Sequence, residues 1–166
     1  MKHVSKLQMQ RCGWVALVLG IICLDQGSKW MALHHLQVGG SLPVMPFLSF
    51  SLAYNHGVAF GGLAGLHGWQ SGLLIGVVVG VIFYLMCWLT KIQSGECLLG
   101  MALSLILSGA VGNLIDRFMH GYVVDFIDFH WLEWHWYVFN IADVAITVGV
   151  VLLLIQMGLE DSAGET

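Results

Sequence analysis

Four stretches of the chain stay apolar for about the 20 residues that a membrane-spanning helix needs. Trp69 to Thr90 and Cys97 to Ile115 run without a single charge. Cys12 to Leu36 is interrupted by Asp25 and Lys29, and Phe139 to Leu159 carries Asp143 one turn inside its start. The pattern predicts spans at about 12–36, 69–90, 97–117 and 139–159, with loop segments at 37–68 and 118–138 on one side. Trp14 with Trp30, and Trp69 with Trp88, bracket two of these helices, the second pair at about the spacing of a hydrocarbon core. Gly72, Gly76 and Gly80 form a ladder on the second span, which reads as helix-packing chemistry.

The connecting segments carry patterns of their own. Phe47 to Tyr54 (FLSFSLAY) partly alternates apolar and small polar residues after Pro43 and Pro46, and predicts a short strand. Tyr122 to Phe139 holds Trp131, Trp134 and Trp136 beside Asp128 and Glu133, and reads as an interfacial segment on the outer leaflet.

Composition supports this picture. Of 166 residues, 58% are apolar and 10% charged, with a mean hydropathy of +0.82. A soluble domain carries roughly 25% charged residues, so this chain lacks the charge to cover a water-facing surface. Disorder is excluded by the apolar content. A net charge of −4 with six basic residues argues against a nucleic-acid partner. The length suits one integral-membrane domain over 1–166. Cys12, Cys23, Cys87 and Cys97 form no CxxC pair and read as small buried apolar residues. The first span follows Lys2, Lys6 and Arg11 but is not followed by a small-residue cleavage site, so it reads as a retained helix.

Those basic residues, with Lys91 between the second and third spans, orient the chain. Both termini are expected in the cytoplasm, and segments 37–68 and 118–138 outside it. Charges then divide between the two sides, and the whole net −4 falls toward the outer face. Asp25, Asp116, Asp125 and Asp143 reach that face from separate segments.

Ionisable groups in a membrane protein's apolar segments are functional candidates. Asp25 and Lys29, spaced i,i+4 in the favourable acid-first order, are explained by a structural ion pair. Asp116 adjoins Arg117, whose guanidinium is able to pair with carboxylates. Asp125 and Asp143 have no basic neighbour in sequence. Three readings stay open for them: a pair sharing one proton, as in aspartic proteases, a proton relay, or a structural polar network. Asn55, Asn113 and Asn140 fall on outer segments, where amides form turns, orient a carboxylate or bind a peptide.

At these residues the chain resembles lipoprotein signal peptidase, the type II signal peptidase of bacteria. Five blocks carry the resemblance in order: Asp25-Gln26-Gly27-Ser28-Lys29, Asn55-His56-Gly57-Val58-Ala59-Phe60-Gly61, Gly112-Asn113-Leu114-Ile115-Asp116-Arg117, Val123-Val124-Asp125-Phe126 and Phe139-Asn140-Ile141-Ala142-Asp143. It implies an all-α polytopic membrane protein of four transmembrane helices, with a small extracytoplasmic β-platform and an outer helix or loop over the site. It implies an aspartyl endopeptidase in the bacterial inner membrane, with no cofactor and no metal. By that likeness Asp125 and Asp143 are the catalytic pair. Asn55, Gly57, Asn113, Arg117 and Asn140 line or support the site, and Asp25, Lys29 and Asp116 match supporting polar positions. The implied substrate is a diacylglyceryl-modified prolipoprotein, cut just before the lipidated cysteine. Membrane lipid and globomycin-type cyclic lipopeptide inhibitors are the other implied partners.

Other chemistries fit less well. HExxH is absent, and His130 to His135 is one residue too long for HxxEH, so those histidines read as interfacial. Ser28 and Lys29 are adjacent on a helix and point in different directions, unlike a Ser/Lys dyad. The GxGD signature of presenilin-type proteases does not occur. A proton-coupled transporter using the aspartates as a relay is the main rival, although no internal repeat is visible. A non-catalytic assembly protein leaves the five polar blocks unexplained.

Overall fold

The first apolar run folds into one helix longer than its predicted span, α1 (Lys2–His35). The other runs form α2 (Trp69–Lys91), α3 (Cys97–His120) and α4 (Ile141–Gly164). The computed structural model describes residues 2–57 and 69–164, with side chains over 7–57 and 72–160. Val58 to Gly61 of the second motif block therefore lie outside the described residues. Within the described residues, four helices are long and apolar enough to cross a membrane. The chain is a multi-pass membrane protein.

The strand expected at 47–54 is β2 (Leu48–Asn55), flanked by β1 (Ser41–Met45). The segment read as interfacial is a strand pair, β3 (Val123–Trp131) and β4 (Trp134–His135). Aromatic residues suit strands and membrane interfaces alike, so the two roles are compatible in one segment. The four described strands form one antiparallel sheet in the order β1-β2-β3-β4. The β2–β3 register shifts between Phe50 and Ala53, where β2 accommodates an extra residue opposite β3.

Local signals set the helix ends that meet this sheet. Gly121 ends α3 in the left-handed region, at φ 79°, with its N–H on the Arg117 carbonyl, and hands the chain directly to β3. Asn140 caps α4: its Oδ1 accepts the Asp143 N–H at 2.9 Å, and Asp143 Oδ2 faces the Asn140 N–H at 3.3 Å. That reciprocal pair is a capping box with Asp in the acidic position. The C-terminal ends of α1 and α3 and the N-terminal end of α4 are thereby gathered at the sheet.

Two apolar clusters bracket a polar layer along the bundle. Trp14, Leu85, Ile92, Leu99, Leu103 and Leu107 join α1, α2 and α3 at the end remote from the sheet. Ala32, Leu52, Val124 and Phe126 pack beneath the sheet. Between them in chain order lie Asp25, Lys29, Asn113 and Asp116, all buried.

Several sequence expectations change here. Trp14 is no interfacial anchor: it is buried with its ring laid over Gly100 of α3. The close helix contacts are made by Gly109 against Ala142 and by Gly149 against Ala102, joining α3 and α4. Gly72, Gly76 and Gly80 instead have no neighbour within 4 Å of an added Cβ among the described residues. Cys12, Cys23 and Cys97 are exposed on the helix surfaces and Cys87 is half-buried, so their apolar surroundings are not the interior of this chain.

Candidate active site

The polar layer is built around one lysine. Lys29 Nζ lies 2.9 Å from Asp25 Oδ2 on its own helix and 2.9 Å from Asp116 Oδ2 on α3. It also donates to Asn113 Oδ1 at 3.1 Å. The i,i+4 pair expected from sequence is present, while Asp116 turns to Lys29 rather than to its neighbour Arg117. Gln26, which has no charge or turn pattern to mark it in the sequence, closes the layer. Its amide donates to Asp25 Oδ2 at 3.1 Å, Asp116 Oδ1 at 2.9 Å and the Gly112 carbonyl at 3.2 Å. The only sequence signal for Gln26 was its place inside the first motif block.

Each of these aspartates also reaches a neighbouring element. Asp25 Oδ1 accepts the Ala142 N–H at 2.9 Å, in the first turn of α4. Asp116 Oδ2 accepts the Val124 N–H at 3.0 Å, at the start of β3. The ion cluster therefore sets where α4 and β3 begin, and with them where Asp143 and Asp125 stand. Gly112 makes room for it: a Cβ there would lie 2.6 Å from Asp25 Oδ2.

Two asparagines join this layer to the two remaining carboxylates. Asn113 Oδ1 accepts from Lys29, so its Nδ2 is turned toward Asp143 Oδ1, at 2.8 Å. Asn140 Nδ2 donates to Asp125 Oδ1 at 2.6 Å and also faces Asn113 Oδ1 at 3.1 Å. The backbone N–H of the same Asn140 meets Asp143 Oδ2. Asp125 on β3 and Asp143 on α4 are thus held side by side through shared amides. With a lysine fixing one amide's orientation, the flip of each is decided by its partners.

The environments of the pair differ. Asp125 is buried, and its carboxyl is pushed up to about 6, first by burial and next by the charge of Asp143. Hydrogen bonds from Asn55 and Asn140, and the charge of Lys29, work the other way. Asp143 is half-buried in the first turn of α4, where a helix dipole accommodates negative charge. Such a pair can hold one proton between two carboxyl groups, with donors already aimed at the charged oxygens.

Arg117 and the end of β2 complete the surroundings. Arg117 Nη1 donates to the Asn113 carbonyl at 3.1 Å, and its charge is felt by Asp143, Asp116 and Asp125. Asn55 Oδ1 accepts the Gly57 N–H at 2.9 Å, in an Asx turn. Gly57 has φ 78°, and a Cβ on it would lie 2.7 Å from Leu74 Cδ2 and 4.0 Å from Arg117 Nη2. All ten residues singled out from sequence meet at the sheet end of the bundle, eight within the buried network and its rim, Asn55 and Gly57 on the exposed side.

Residues 17–159 match the Peptidase_A8 family, signal peptidase (SPase) II. The lipoprotein signal peptidase of Coxiella burnetii (strain Dugway 5J108-111) is 42% identical over 160 residues, covering 96% of this chain and 98% of that one. That of Polynucleobacter necessarius subsp. necessarius is 46% identical over 154 residues, covering 93% and 91%. A solved bacterial membrane enzyme superposes with a TM-score of 0.81 at 30% identity, covering 93% of this chain and 92% of the other. None of these likenesses favours the transporter reading.

Proposed function

The chain belongs to the signal peptidase II family, and from that premise we propose that Asp125 and Asp143 are its catalytic pair, cleaving by aspartyl chemistry. The family's task is removal of signal peptides from prolipoproteins, and the chain is a membrane peptidase of that kind. The observation that carries the aspartyl reading is the bridging of the two carboxylates by Asn113 and Asn140, with Asp125 raised and Asp143 at a helix N-terminus.

Ionised Asp143 takes a proton from water as its oxygen attacks the scissile carbonyl carbon. Protonated Asp125 donates to the carbonyl oxygen, giving a neutral tetrahedral diol. The proton gained by Asp143 then passes to the leaving amine nitrogen, the C–N bond breaks, and Asp125 recovers its own proton from the diol. The pair ends in its starting state, with water divided between the new carboxyl and amine. Arg117, near both carboxylates in charge, limits the cost of their shared negative charge.

The substrate on this reading is a diacylglyceryl-modified prolipoprotein, cut just before the lipidated cysteine. The acyl chains keep the scissile bond near the membrane surface, which suits a site at one end of a spanning bundle. Globomycin-type cyclic lipopeptides, as peptides carrying a lipid chain, suit the same place. Exposed Trp131, Leu132, Trp134, Trp136 and Tyr137 on and after the β3–β4 turn support contact with lipid headgroups. Arg11, whose guanidinium donates to the Thr90 carbonyl at 2.8 Å, and Lys91 share the end remote from the sheet. That supports cytoplasmic termini and an extracytoplasmic sheet.

The test is cleavage in detergent of a diacylglyceryl-modified lipobox peptide against its unmodified form. Wild type is expected to cut only the modified peptide, and Asp125→Asn and Asp143→Asn to cut neither. Undiminished cleavage by either folded variant overturns the pair.

A further inference from the structure

The β3–β4 hairpin carries a second cluster of ligating side chains, on residues the peptidase chemistry does not use. Asp128 and His130 are two positions apart on β3 and so project from one face of it. His135 on β4 is the cross-strand partner of His130. One ligand atom from each of the three lies within 4.8 Å of the others. His135 Nδ1 sits 3.0 and 3.1 Å from the two Asp128 oxygens, and the His130 and His135 rings stack with centroids 5.0 Å apart. His130 Nδ1 is buried and has no hydrogen-bond partner among the described residues.

We propose that Asp128, His130 and His135 bind a divalent transition-metal ion of the Zn²⁺ class, clipping β4 to β3. Two imidazoles and one carboxylate suit Zn²⁺, Ni²⁺ or Cu²⁺, whereas Mg²⁺ and Ca²⁺ take oxygen donors. Ligands held about 2.0–2.2 Å from a tetrahedral ion stand about 3.4 Å apart, so a modest side-chain rotation closes the present spacing. His135 has that freedom, its side chain being 55% exposed, while Asp128 is 8% exposed and provides the fixed ligand. The Ser51 hydroxyl on β2 faces Asp128 Oδ2 at 3.5 Å, an outer partner that orients the carboxylate. A metal also gives the buried His130 nitrogen a partner that the described residues do not supply. Three protein ligands leave one position for water.

This site is separate from the catalytic pair. Asp125 and Asp128 are an odd number of residues apart on β3 and face opposite sides of the sheet. The ion acts on the hairpin that bears Trp131 and Trp134, holding that aromatic tip against the sheet.

The experiment uses the full chain without a histidine tag, in detergent micelles, stripped with EDTA and desalted. Titration calorimetry with ZnCl₂ is expected to show one bound equivalent, and Co²⁺ to give the visible absorption of a low-symmetry site. Zn²⁺ raises the unfolding midpoint of wild type. His130→Ala and His135→Gln each weaken binding at least about tenfold and abolish the midpoint shift. Because His135 is exposed, His135→Gln keeps the fold and guards against a variant that merely misfolds. A His34→Ala/His35→Ala double variant binds Zn²⁺ like wild type. Absence of saturable Zn²⁺ binding by wild type, unchanged affinity in either hairpin variant, or loss of binding in the helix-end double variant overturns the site.

Discussion

The Asn140 side-chain amide donates to the Asp125 carboxylate at 2.6 Å, and Asn140 is at the same time the cap of the helix that carries Asp143. One residue therefore sets the position of one carboxylate by its side chain and of the other through the start of α4. Asn140→Ala removes both constraints. Misplacement of reacting groups by about 1 Å costs roughly 10²-fold in rate, so kcat is expected to fall by at least that factor. A variant within twofold of wild type would remove Asn140 from the positioning machinery.

Lys29→Met leaves Asp25 and Asp116 buried without their cation. Breaking a buried ion cluster from one side costs about 3–5 kcal/mol, because two desolvated carboxylates lose their common partner. Denaturant unfolding in mixed micelles is expected to show a loss of that order. The same substitution frees Asn113 to rotate, so residual folded protein should cleave poorly.

Gly57→Ala and Gly39→Ala form a matched pair. Both glycines have φ 78°, so each substitution meets the left-handed penalty of about 1–2 kcal/mol. At Gly57 the new Cβ also meets a neighbour, Leu74 Cδ2 at 2.7 Å, whereas among the described residues nothing lies within 4 Å at Gly39. Gly57→Ala is expected to lower kcat/KM strongly through displacement of Asn55, and Gly39→Ala to leave it near wild type. Equal kinetic effects would mean that backbone strain alone, and not the crowded site, is being read.

Asp125 is expected to make activity and stability depend on pH in a defined direction. Its carboxyl is raised from 3.8 to about 6, so the folded protein binds this proton more tightly than the unfolded chain. Its contribution to stability is present below about pH 4 and is lost as pH rises through about 6. The unfolding midpoint of wild type relative to Asp125→Asn is expected to fall across that window and flatten above it. In the free enzyme kcat/KM should decline on the alkaline side near pH 6, as Asp125 loses its proton. Asp143→Asn removes one raising charge but not burial, so infrared titration should find the Asp125 carboxyl lower than in wild type and still above 3.8.

Chelation should separate the two clusters. The side chains on Asp125 and Asp143 are amides of Asn55, Asn113 and Asn140, which suit proton transfer and not metal capture. EDTA is expected to leave cleavage intact, measured on the lipid-modified peptide. Loss of cleavage restored by Zn²⁺ would instead put a metal into the reaction.

What was legible in the sequence was whatever depends on neighbours along the chain. Long uncharged runs predict spans because the bilayer demands about 20 apolar residues, and all four became helices. The Asp25–Lys29 pair is one helical turn apart, and alternation marked the strand at 47–54. The five polar blocks also named the candidate site residues, with proposed roles that came from a family likeness rather than from their chemistry alone.

What depends on distant segments was decided only by the tertiary structure. Asp116 faces Lys29 instead of Arg117 because α1 and α3 lie side by side, a contact between residues 29 and 116 that no local pattern encodes. Trp14 is buried because Gly100 on another helix receives its ring, while the Gly72, Gly76 and Gly80 ladder meets nothing among the described residues. The tryptophan-rich segment became β3 and β4 because β2 offered it an edge. That pairing brought His135 beside His130 and Asp128, a cluster invisible to a helical motif search. Hydrophobic length and i,i+4 spacing are properties of one segment, so sequence alone determined the spans, their order and the aspartates. Which aspartate is buried, which is paired and which two stand together follows from how four helices and a sheet close on one another.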